Sequence, residues 1–390
     1  MKTLVLWGAL AASPLHLYSQ FEVAGLPTDI HGFVSQGFAV SNHNNYLTMK
    51  TRDGSFALTD GGINVSSRIS DKFRVGAQLY IMNVGELGAW RPQLDWAFGD
   101  YKLKDWLGFR VGKVKTTLGL YTDIQDEAFL TPWAILPQSL YPIDLRASTI
   151  SHIGGDIYGE ISLKRLGSLS YTAYVGERPN DRYGGYIYGL RDFGVNLDSY
   201  DGRMEGGDLR WNTPVTNLLV GASYLVQNVT GKGTSDGLPH LEKSNADETS
   251  QYYVQYAVGP LHFDGEYRRH LRDQVILDSN PSAPPEVYAD GRGFYGSAAY
   301  TLSKKWEVGT YYSRFYANWK GDLGAPDNHI FDKVATVRFN FDSHFNLKIE
   351  GHFIDGYGAL DSIRGFYTQN NPSGLKPKTN MLVIRMGYSF

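Results

Sequence analysis

The chain has 390 residues, a net charge of −3 and no cysteine, so thiol chemistry, disulfides and cysteine-ligated metals are excluded. The near-neutral charge lacks the excess of basic residues that is typical of nucleic-acid-binding proteins. Aromatic residues reach 14%, with 27 Tyr and 44 Gly, a composition that indicates β-structure with many turns. The mean hydropathy is −0.31, and no apolar run of about 18 residues follows the N-terminus, so we expect no transmembrane helix.

The N-terminal segment has the pattern of a secretory signal peptide. It reads MKTLVLWGALAASPLHLYSQ, with Lys2 as a short positive region, an apolar core over residues 4–12 and Ser19 as a small residue at a cleavage point. Such a segment is too short to anchor stably in a bilayer, so we expect residues 1–19 to be a signal peptide. The alternative is a buried N-terminal helix, which Pro14 would interrupt.

Most of the chain has apolar residues at every second position. In one stretch Ile153, Ile157 and Ile161 share one parity, while Asp156 and Glu160 share the other. A strand with one apolar face and one charged face suits a position between lipid and water. On this pattern we predict sixteen strands, at residues 30–40, 56–69, 73–84, 92–102, 107–115, 151–164, 168–177, 207–213, 218–229, 250–258, 260–269, 292–301, 305–317, 332–341, 344–355 and 379–390.

The connections between the predicted strands alternate in length. Links after even-numbered strands are short, whereas most links after odd-numbered strands are long, at residues 41–55, 116–150, 178–206, 230–249, 270–291, 318–331 and 356–378. In lipid every backbone polar group needs an internal partner, so the last strand must pair with the first. We therefore predict that residues 20–390 form one all-β domain. It is a transmembrane antiparallel up-and-down β-barrel of about 16 strands, with short periplasmic turns and long extracellular loops.

The chain ends in MLVIRMGYSF, with apolar residues at alternate positions up to a terminal aromatic residue. In this ending Tyr388 and Phe390 resemble the signal that bacterial outer-membrane proteins present to their barrel assembly machinery. The resemblance implies that these two side chains form an assembly signal and that the machinery is a partner of the chain.

Further stretches carry a resemblance to a protein family. They are Ile30-His31-Gly32-Phe33, Asn45-Tyr46-Leu47, Gly112-Lys113-Val114-Lys115 leading into Gly119-Leu120-Tyr121, and Leu136-Pro137-Gln138-Ser139-Leu140-Tyr141. In these stretches the chain resembles Gram-negative outer-membrane porins of a porin-like family distantly related to the phosphate-selective porins. The resemblance implies a location in the bacterial outer membrane among its lipids and, through its likeness to general porins, a homotrimer. It does not imply a phosphate site.

The predicted link at residues 116–150 is the candidate selectivity element. It is unusually apolar for a loop, with residues such as Phe129, Trp133 and Leu140. A long apolar loop seldom remains in water, so we expect it to fold into the lumen as a constriction; an external cap or an oligomer contact is the alternative. The residues that we expect to line the pore or constriction are Arg68, Arg74, Arg110, Lys113, Lys115, Asp123, Asp126, Glu127 and Arg146.

The alternation also predicts which charged side chains face the lumen from the wall. The basic ones are Arg68, Arg74, Arg110, Lys164, Arg210, Arg268, Arg338, Lys348 and Arg385, and the acidic ones are Asp95, Asp156, Glu160, Asp208, Asp264, Glu266, Glu307 and Glu350. Pairing across neighbouring strands is the ordinary role of such charges. Lys113 and Lys115 at the root of the loop favour anions, whereas the near balance of wall charge leaves the ion preference open.

These observations predict a passive diffusion channel for small hydrophilic solutes or ions, and no enzyme. The ten His residues show no partnered constellation, and the chain lacks an HExxH zinc motif. We expect no catalytic residue, no metal, no cofactor and no nucleic-acid partner. The alternatives are a barrel with a structural or adhesive role and a barrel hydrolase.

Overall fold

The computed structural model describes residues 19–23, 25–278, 286–358 and 365–390. Residues 1–18 of the predicted signal peptide lie outside the described residues, and Ser19 is the first residue of a strand. The signal peptide and its cleavage point therefore stay predictions.

The described residues form one antiparallel sheet that closes on itself. Each strand from β2 to β17 pairs with the next, and β17 pairs with β2, which gives a closed barrel of 16 strands. This confirms the predicted all-β barrel, and the short β1 pairs with the first residues of β2. The strands are β1 (Ser19–Val23), β2 (Leu26–Ser41), β3 (Ser55–Arg68), β4 (Phe73–Val84), β5 (Gln93–Lys104), β6 (Leu107–Lys115), β7 (Ser151–Ser162), β8 (Ser168–Arg178), β9 (Val195–Asn212), β10 (Leu218–Ser235), β11 (Leu238–Val258), β12 (Leu261–Asp278), β13 (Glu286–Thr301), β14 (Trp306–Tyr316), β15 (His329–Asn340), β16 (Phe345–Asp355) and β17 (Lys378–Ser389).

Within the residues that the structure describes, the helices lie in the connections between strands. The α-helix α1 (Gly185–Leu190) lies between β8 and β9. The 3₁₀ helices are Thr51–Asp53, Thr122–Ile124, Ala128–Leu130, Ile143–Ser148, Lys164–Leu166 and Arg191–Phe193. No helix in the described part of the chain is long and apolar enough to cross a membrane.

The short turns lie at the same rim as the start of the first barrel strand, β2, and the end of the last, β17. Residues 69–72 join β3 to β4, residues 259–260 join β11 to β12, and residues 341–344 join β15 to β16. At the same rim the Phe390 backbone N donates to Gly32 O at 2.9 Å. Short turns and chain ends are typical of the periplasmic rim of an outer-membrane barrel.

Outward-facing side chains are apolar and exposed, whereas many inward-facing side chains are polar and buried. Val111 and Ile153 on the outside are 68% and 50% exposed, while Lys348 and Glu350 on the inside of β16 are 1% and 0% exposed. This distribution is the reverse of a soluble protein, and it forms the apolar belt of a barrel whose outer surface contacts lipid. The barrel and its belt place the protein in the bacterial outer membrane.

Four strands, β9 to β12, extend well beyond the segments that the sequence predicts. β10 and β11 run on until they meet at a turn of Asp236 and Gly237. The prediction of a long loop at residues 230–249 is therefore wrong, and large parts of residues 178–206 and 270–291 are also strand. The apolar–polar alternation changes there because strand segments above the membrane have no lipid-facing side, so their outward face takes polar residues, while Leu197 and Val229 on the inward face pack against α1.

An apolar cluster in the extracellular half of the barrel is built from several loops. It contains Leu47 of the first loop, Leu87 of the second, Ile135 of the third, Tyr188 of α1 and Phe366 of the last, and all five are buried. Buried apolar contacts of this kind exclude water and fix the loops against one another. The extracellular half of the lumen is therefore packed with loop residues.

Candidate functional site

The third loop, residues 116–150, leaves the wall between β6 and β7 and folds across the lumen. It contacts inward-facing side chains of β4, β5, β10, β12, β16 and β17. These contacts fall into three groups, which we name the root anchor, the Glu266 anchor and the Glu350 anchor.

The root anchor consists of Gln78, Asp95, Lys115, Asp126 and Arg146. Arg146 Nη1 and Nη2 donate to the two carboxylate oxygens of Asp95 at 3.0 and 2.8 Å. Lys115 Nζ lies 3.2 Å from Asp126 Oδ1, and Gln78 Nε2 donates to the carboxylates of Asp95 and Asp126. A bidentate arginine–carboxylate pair adds geometric specificity to its strength, so this anchor fixes the position of the loop against β4 and β5.

The charges of the root anchor compensate for its burial. Burial disfavours the ionised form of Asp126, but the charges of Lys115 and Arg146 outweigh it and hold the pKa of that carboxyl below its ordinary value. Burial also disfavours the charged form of Arg146, yet the nearby Asp95 carboxylate raises the guanidinium pKa above its ordinary value. The Arg146 guanidinium lies 3.9 Å from the centre of the Tyr80 ring. Asp126 and Arg146 therefore both stay charged at neutral pH.

The Glu266 anchor holds the loop from the wall across the lumen. The Glu266 carboxylate on β12 accepts from Tyr141 Oη at 2.6 Å, from Leu120 N at 3.1 Å and from Gln251 Nε2 at 2.6 Å. Tyr295 Oη on β13 donates to the same carboxylate at 2.7 Å. Burial raises the pKa of Tyr141 well above its ordinary value and the Glu266 charge adds to this, so the phenol stays a donor.

Gly119 makes the close approach at the Glu266 anchor possible. Its φ of +72° lies in the left-handed region, and a Cβ there would lie 1.8 Å from Gln251 Nε2. The Gly119 N donates to Ser223 Oγ at 2.9 Å, and its carbonyl oxygen accepts from Arg210 Nη2 at 3.0 Å. A residue with a side chain at this position would displace the ends of the Gln251 and Glu266 side chains from their places in the anchor.

The Glu350 anchor binds the backbone in the middle of the loop. The Glu350 carboxylate accepts from Ala134 N at 2.9 Å and from Ile135 N at 3.0 Å. Arg385 Nη1 on β17 donates to Ala134 O at 2.7 Å. Lys348 Nζ on β16 donates to Trp133 O at 2.9 Å. Charged wall side chains thus satisfy backbone groups that would otherwise lie unpaired inside the barrel.

The wall residues of the last two anchors are ones that the alternation assigns to the lumen. Glu266, Glu350, Lys348 and Arg385 all face inward, as predicted. The sequence did not reveal their function as loop anchors, because most of the loop atoms that they contact are backbone atoms of a distant segment. The alternation along a strand predicts whether a wall side chain faces the lumen. Its partner in the loop is known only once the loop has folded against it.

The remaining acidic residues expected at the constriction make looser contacts. Asp123 Oδ2 lies 3.9 Å from Arg210 Nη1 on β9. Glu127 Oε2 lies 3.4 Å from His31 Nε2 on β2. These two carboxylates are partly exposed, so they differ from the buried Asp126.

Lys113 does not join the anchors. It pairs with Ile153 of β7, which faces outward, and its Nζ donates to the carbonyl oxygen of Leu94 at 2.6 Å. Its ammonium group therefore binds the backbone of the barrel wall near the start of β5.

Arg68, Arg74 and Arg110 lie at the periplasmic end of the lumen, in a group that we name the vestibule together with Asp100 and Asp156. Arg74 Nη2 donates to Asp100 Oδ2 at 2.9 Å, and Arg110 Nε lies 3.4 Å from Asp156 Oδ1. The two arginine side chains are 48% and 22% exposed, whereas their carboxylate partners are 9% and 0% exposed. The positive ends therefore face the open lumen and the negative ends lie beneath them.

The predicted assembly signal lies on the closing strand. Tyr388 pairs with Val34 of β2 and is 42% exposed, and Phe390 is 43% exposed. Both aromatic side chains are accessible at the periplasmic rim. Their recognition by the assembly machinery stays a prediction.

No family model and no curated protein matches the chain. Solved structures match it over nearly its whole length. OmpT, an outer-membrane protein of Vibrio cholerae also solved in a trimer form, has a TM-score of 0.58 at 12% identity, with 95% of this chain and 100% of that chain covered. The fold is that of a bacterial outer-membrane porin.

Two channels share this porin fold. The anion-selective porin from Comamonas acidovorans has a TM-score of 0.56 at 12% identity, covering 93% of this chain and 99% of that one. The outer-membrane channel DcaP of Acinetobacter baumannii has a TM-score of 0.56 at 10% identity, covering 95% and 99%. At these identities the likeness establishes the fold. Within the described residues no group of three or more His, Asp or Glu side chains is placed to hold a metal ion.

Proposed function

We propose that the protein is a porin through which small hydrophilic solutes and ions diffuse passively. The observation that carries the proposal is the third loop, which crosses a closed barrel and is held at three points by Arg146, Glu266 and Glu350. A loop fixed in this way narrows the lumen at one level, so the size and charge of a solute are selected there. Because the loop packs closely, we expect a small unit conductance.

We propose further that the channel favours anions. The support comes from the vestibule, where Arg74 and Arg110 are more exposed than the carboxylates that they contact. A lumen lined by exposed guanidinium groups raises the local concentration of anions and lowers that of cations. The preference is expected from this exposure, since the total wall charge is near balance.

A planar-bilayer measurement tests both parts of the proposal. The refolded protein should give discrete conductance steps, and under a salt gradient its reversal potential should have the sign of anion preference. An empty-detergent preparation is the control for leakage. A folded barrel that gives no conductance steps would contradict the channel and favour the structural or adhesive alternative, whereas a cation-signed potential would contradict the anion preference alone.

We also propose a homotrimer in outer-membrane lipid, assembled by machinery that reads Tyr388 and Phe390. The trimer form of OmpT, which shares the fold, supports the oligomer. The exposure of the two aromatic side chains supports the signal. Cross-linking of the detergent-purified protein should give a trimer as the largest product, and a monomer alone would contradict the oligomer.

A catalytic role is not part of the proposal. Residues 233–237 read GTSDG and match the spacing of a nucleophile elbow, but Ser235 is the last residue of β10 and is 3% exposed. A nucleophile elbow is a strand-to-helix turn that exposes its serine. A hydroxyl–imidazole pair exists at Thr116 and His152, 3.1 Å apart, and both residues are fully buried. These placements favour the channel over the barrel hydrolase.

A further inference from the structure

The outer surface of the barrel has a groove in the apolar belt between β11 and β15. Its floor includes Gly265, Gly296 and Ala298, its walls include Phe263 and Tyr312, and its volume is about 720 Å³. Gly265 lies directly opposite Gly296 in the ladder between β12 and β13. Two neighbouring strands therefore lack a side chain at the same level of the belt.

The backbone does not require glycine at position 296. Gly296 has no left-handed φ, and a Cβ built on it would have no heavy atom within 4 Å. An apolar side chain would fit there, and covering exposed belt surface with it would be favourable. The glycine therefore keeps a groove open on the surface that faces the acyl chains.

Basic side chains lie at the extracellular end of the groove. Arg292, Arg314 and Lys333 have the outward parity of the belt on β13, β14 and β15, and Lys333 also lines the groove. Arg269 on β12 stands directly opposite Arg292. We name these four residues the basic cap.

The strand lengths place the basic cap at the outer headgroup level. A membrane-crossing strand of a barrel has about 9–11 residues. Counted from the periplasmic ends of their strands, Arg269 and Arg314 are each the ninth residue. The groove below them faces the hydrocarbon, and the cap faces the layer of lipid phosphates.

Neighbouring side chains hold the cap in position. The Asp290 carboxylate accepts from Arg269 Nε at 2.8 Å and from Arg292 Nη2 at 3.1 Å, which leaves these three residues with one positive charge. The Arg292 guanidinium lies 4.5 Å from the Trp319 ring centre. Aromatic rings at this level are typical of the girdle of a membrane barrel.

Another sector of the barrel has the opposite charge at this level. The outward residues near the extracellular ends of β8 and β9 include Glu177 and Glu205, with Arg203 paired to Glu205. Two negative charges and one positive charge give these three residues a net charge of −1. The basic cap is therefore not repeated in this sector.

We propose that the groove and the basic cap bind a phosphorylated lipid of the outer leaflet, with an acyl chain in the groove and a phosphate on Arg292, Arg314 and Lys333. The hydrocarbon surroundings of the groove select an acyl chain. The planar fork of arginine matches phosphate oxygens, and each basic side chain near an anionic lipid surface adds attraction. The two parts of the site lie in the order that such a lipid requires, with its chain below its phosphate.

The test uses the full mature chain refolded into nanodiscs of zwitterionic lipid. Purified lipid A, or the same lipid after phosphatase treatment, is added, and the retained lipid per protein is measured by native mass spectrometry. Arg314→Gln/Lys333→Gln removes cap charge, and Gly296→Leu fills the groove. Arg203→Gln, in the acidic sector, and Gly351→Leu, at an outward glycine of β16 with nearest heavy atom 4.0 Å away, are the matched controls.

We expect the wild type to retain lipid A in preference to its dephosphorylated form. Each removed charge should weaken retention about fivefold, so the double cap variant should lose about 30-fold. Gly296→Leu should also lose retention, while both controls behave as the wild type. If the double variant does not fold, the single variant Lys333→Gln tests the cap, and its lipid A retention should fall about fivefold.

Other outcomes would overturn the proposal. Equal retention by the wild type and both site variants would mean that the lipid binds elsewhere. Equal retention of phosphorylated and dephosphorylated lipid would remove the role of the cap. Displacement of lipid A by inorganic phosphate alone would show a site for a free anion rather than for a lipid.

Discussion

The two halves of the lumen are built differently. In the extracellular half the loops fill the space, and buried carboxylates such as Glu266 and Glu350 bind the backbone of the third loop. In the periplasmic half Arg68, Arg74 and Arg110 line a vestibule, and their side chains are partly exposed. On the opposite side of this half the third loop reaches His31 on β2 through Glu127. The carboxylates at the packed level hold the loop, whereas the exposed guanidinium groups of the vestibule act on ions that pass within the screening length. We therefore expect the packed half to determine the unit conductance. We expect the open half to determine whether anions or cations pass more easily.

The largest expected effect comes from loosening the packed half. Glu266→Gln/Glu350→Gln replaces both carboxylates that hold the loop backbone, and each lost charged hydrogen-bond set is expected to cost about 1.5–3 kcal/mol of unfolding free energy. The third loop should then move away from its position, and single-channel conductance should rise about twofold or more. Planar-bilayer recording and denaturant unfolding in detergent measure the two quantities.

Glu177→Gln/Glu205→Gln is the matched control for this change. Both of these glutamates face outward near the extracellular ends of β8 and β9, so their loss should leave conductance unchanged. A double anchor variant that is destabilised but conducts like the wild type would separate the third loop from the constriction.

A smaller effect on the same half is expected from Gly119→Ala. The left-handed backbone costs a non-glycine residue about 1–2 kcal/mol, and displacing Gln251 adds about 1–3 kcal/mol. Gly237→Ala isolates the first cost, because Gly237 has a φ of +83° and no heavy atom within 4 Å of a built Cβ. Denaturant unfolding should show a larger loss for Gly119→Ala. Equal losses would mean that the contact with the Glu266 anchor does not hold the loop.

The sequence predicts the membrane-crossing strands well and the strands above the membrane poorly. The strands at residues 73–84 and 107–115 have the predicted bounds, because lipid on one side and lumen on the other impose the alternation. β10 and β11 continue to a turn at Asp236 and Gly237, where the outward face no longer contacts lipid and does not need apolar residues. Sequence patterning therefore reports the bilayer more faithfully than it reports the full length of a strand.

The site shows the same limit in another form. Parity correctly directs Glu266 and Glu350 to the lumen, but their partners Leu120 and Ala134 lie 146 and 216 positions away in the chain. When a side chain binds backbone atoms, its partner can be any residue type, so the sequence contains no complementary residue from which the contact could be predicted. Lys113 pairs with the outward-facing Ile153 and donates to the Leu94 carbonyl oxygen, and its expected role at the pore stays a prediction.

The open half is tested by Arg68→Glu/Arg74→Glu, which reverses two exposed charges. We expect the reversal potential to move towards cation preference, by about threefold in permeability ratio at 0.1 M salt and by less at 1 M, because the screening length falls from about 10 Å to about 3 Å. Unit conductance should change little. Lys113→Glu is the control and should leave the sign of the potential unchanged. A larger shift from Lys113→Glu than from the vestibule pair would reverse the assignment.

The smallest expected effect is the response of the packed half to acid. Asp126 has a pKa below its ordinary value of 3.8, so its ionisation stabilises the root anchor fully above that value, and this contribution is lost as the pH falls through the lower folded value. Any rise in conductance that depends on Asp126 should therefore appear only below pH 3.8. Asp126→Asn cannot titrate, so the difference between the wild type and this variant isolates that step, even if the variant loosens the loop at every pH. An acid step that persists in Asp126→Asn would assign the titration to another carboxylate, and an Asp126-dependent step that begins near neutral pH would contradict the compensation by Lys115 and Arg146.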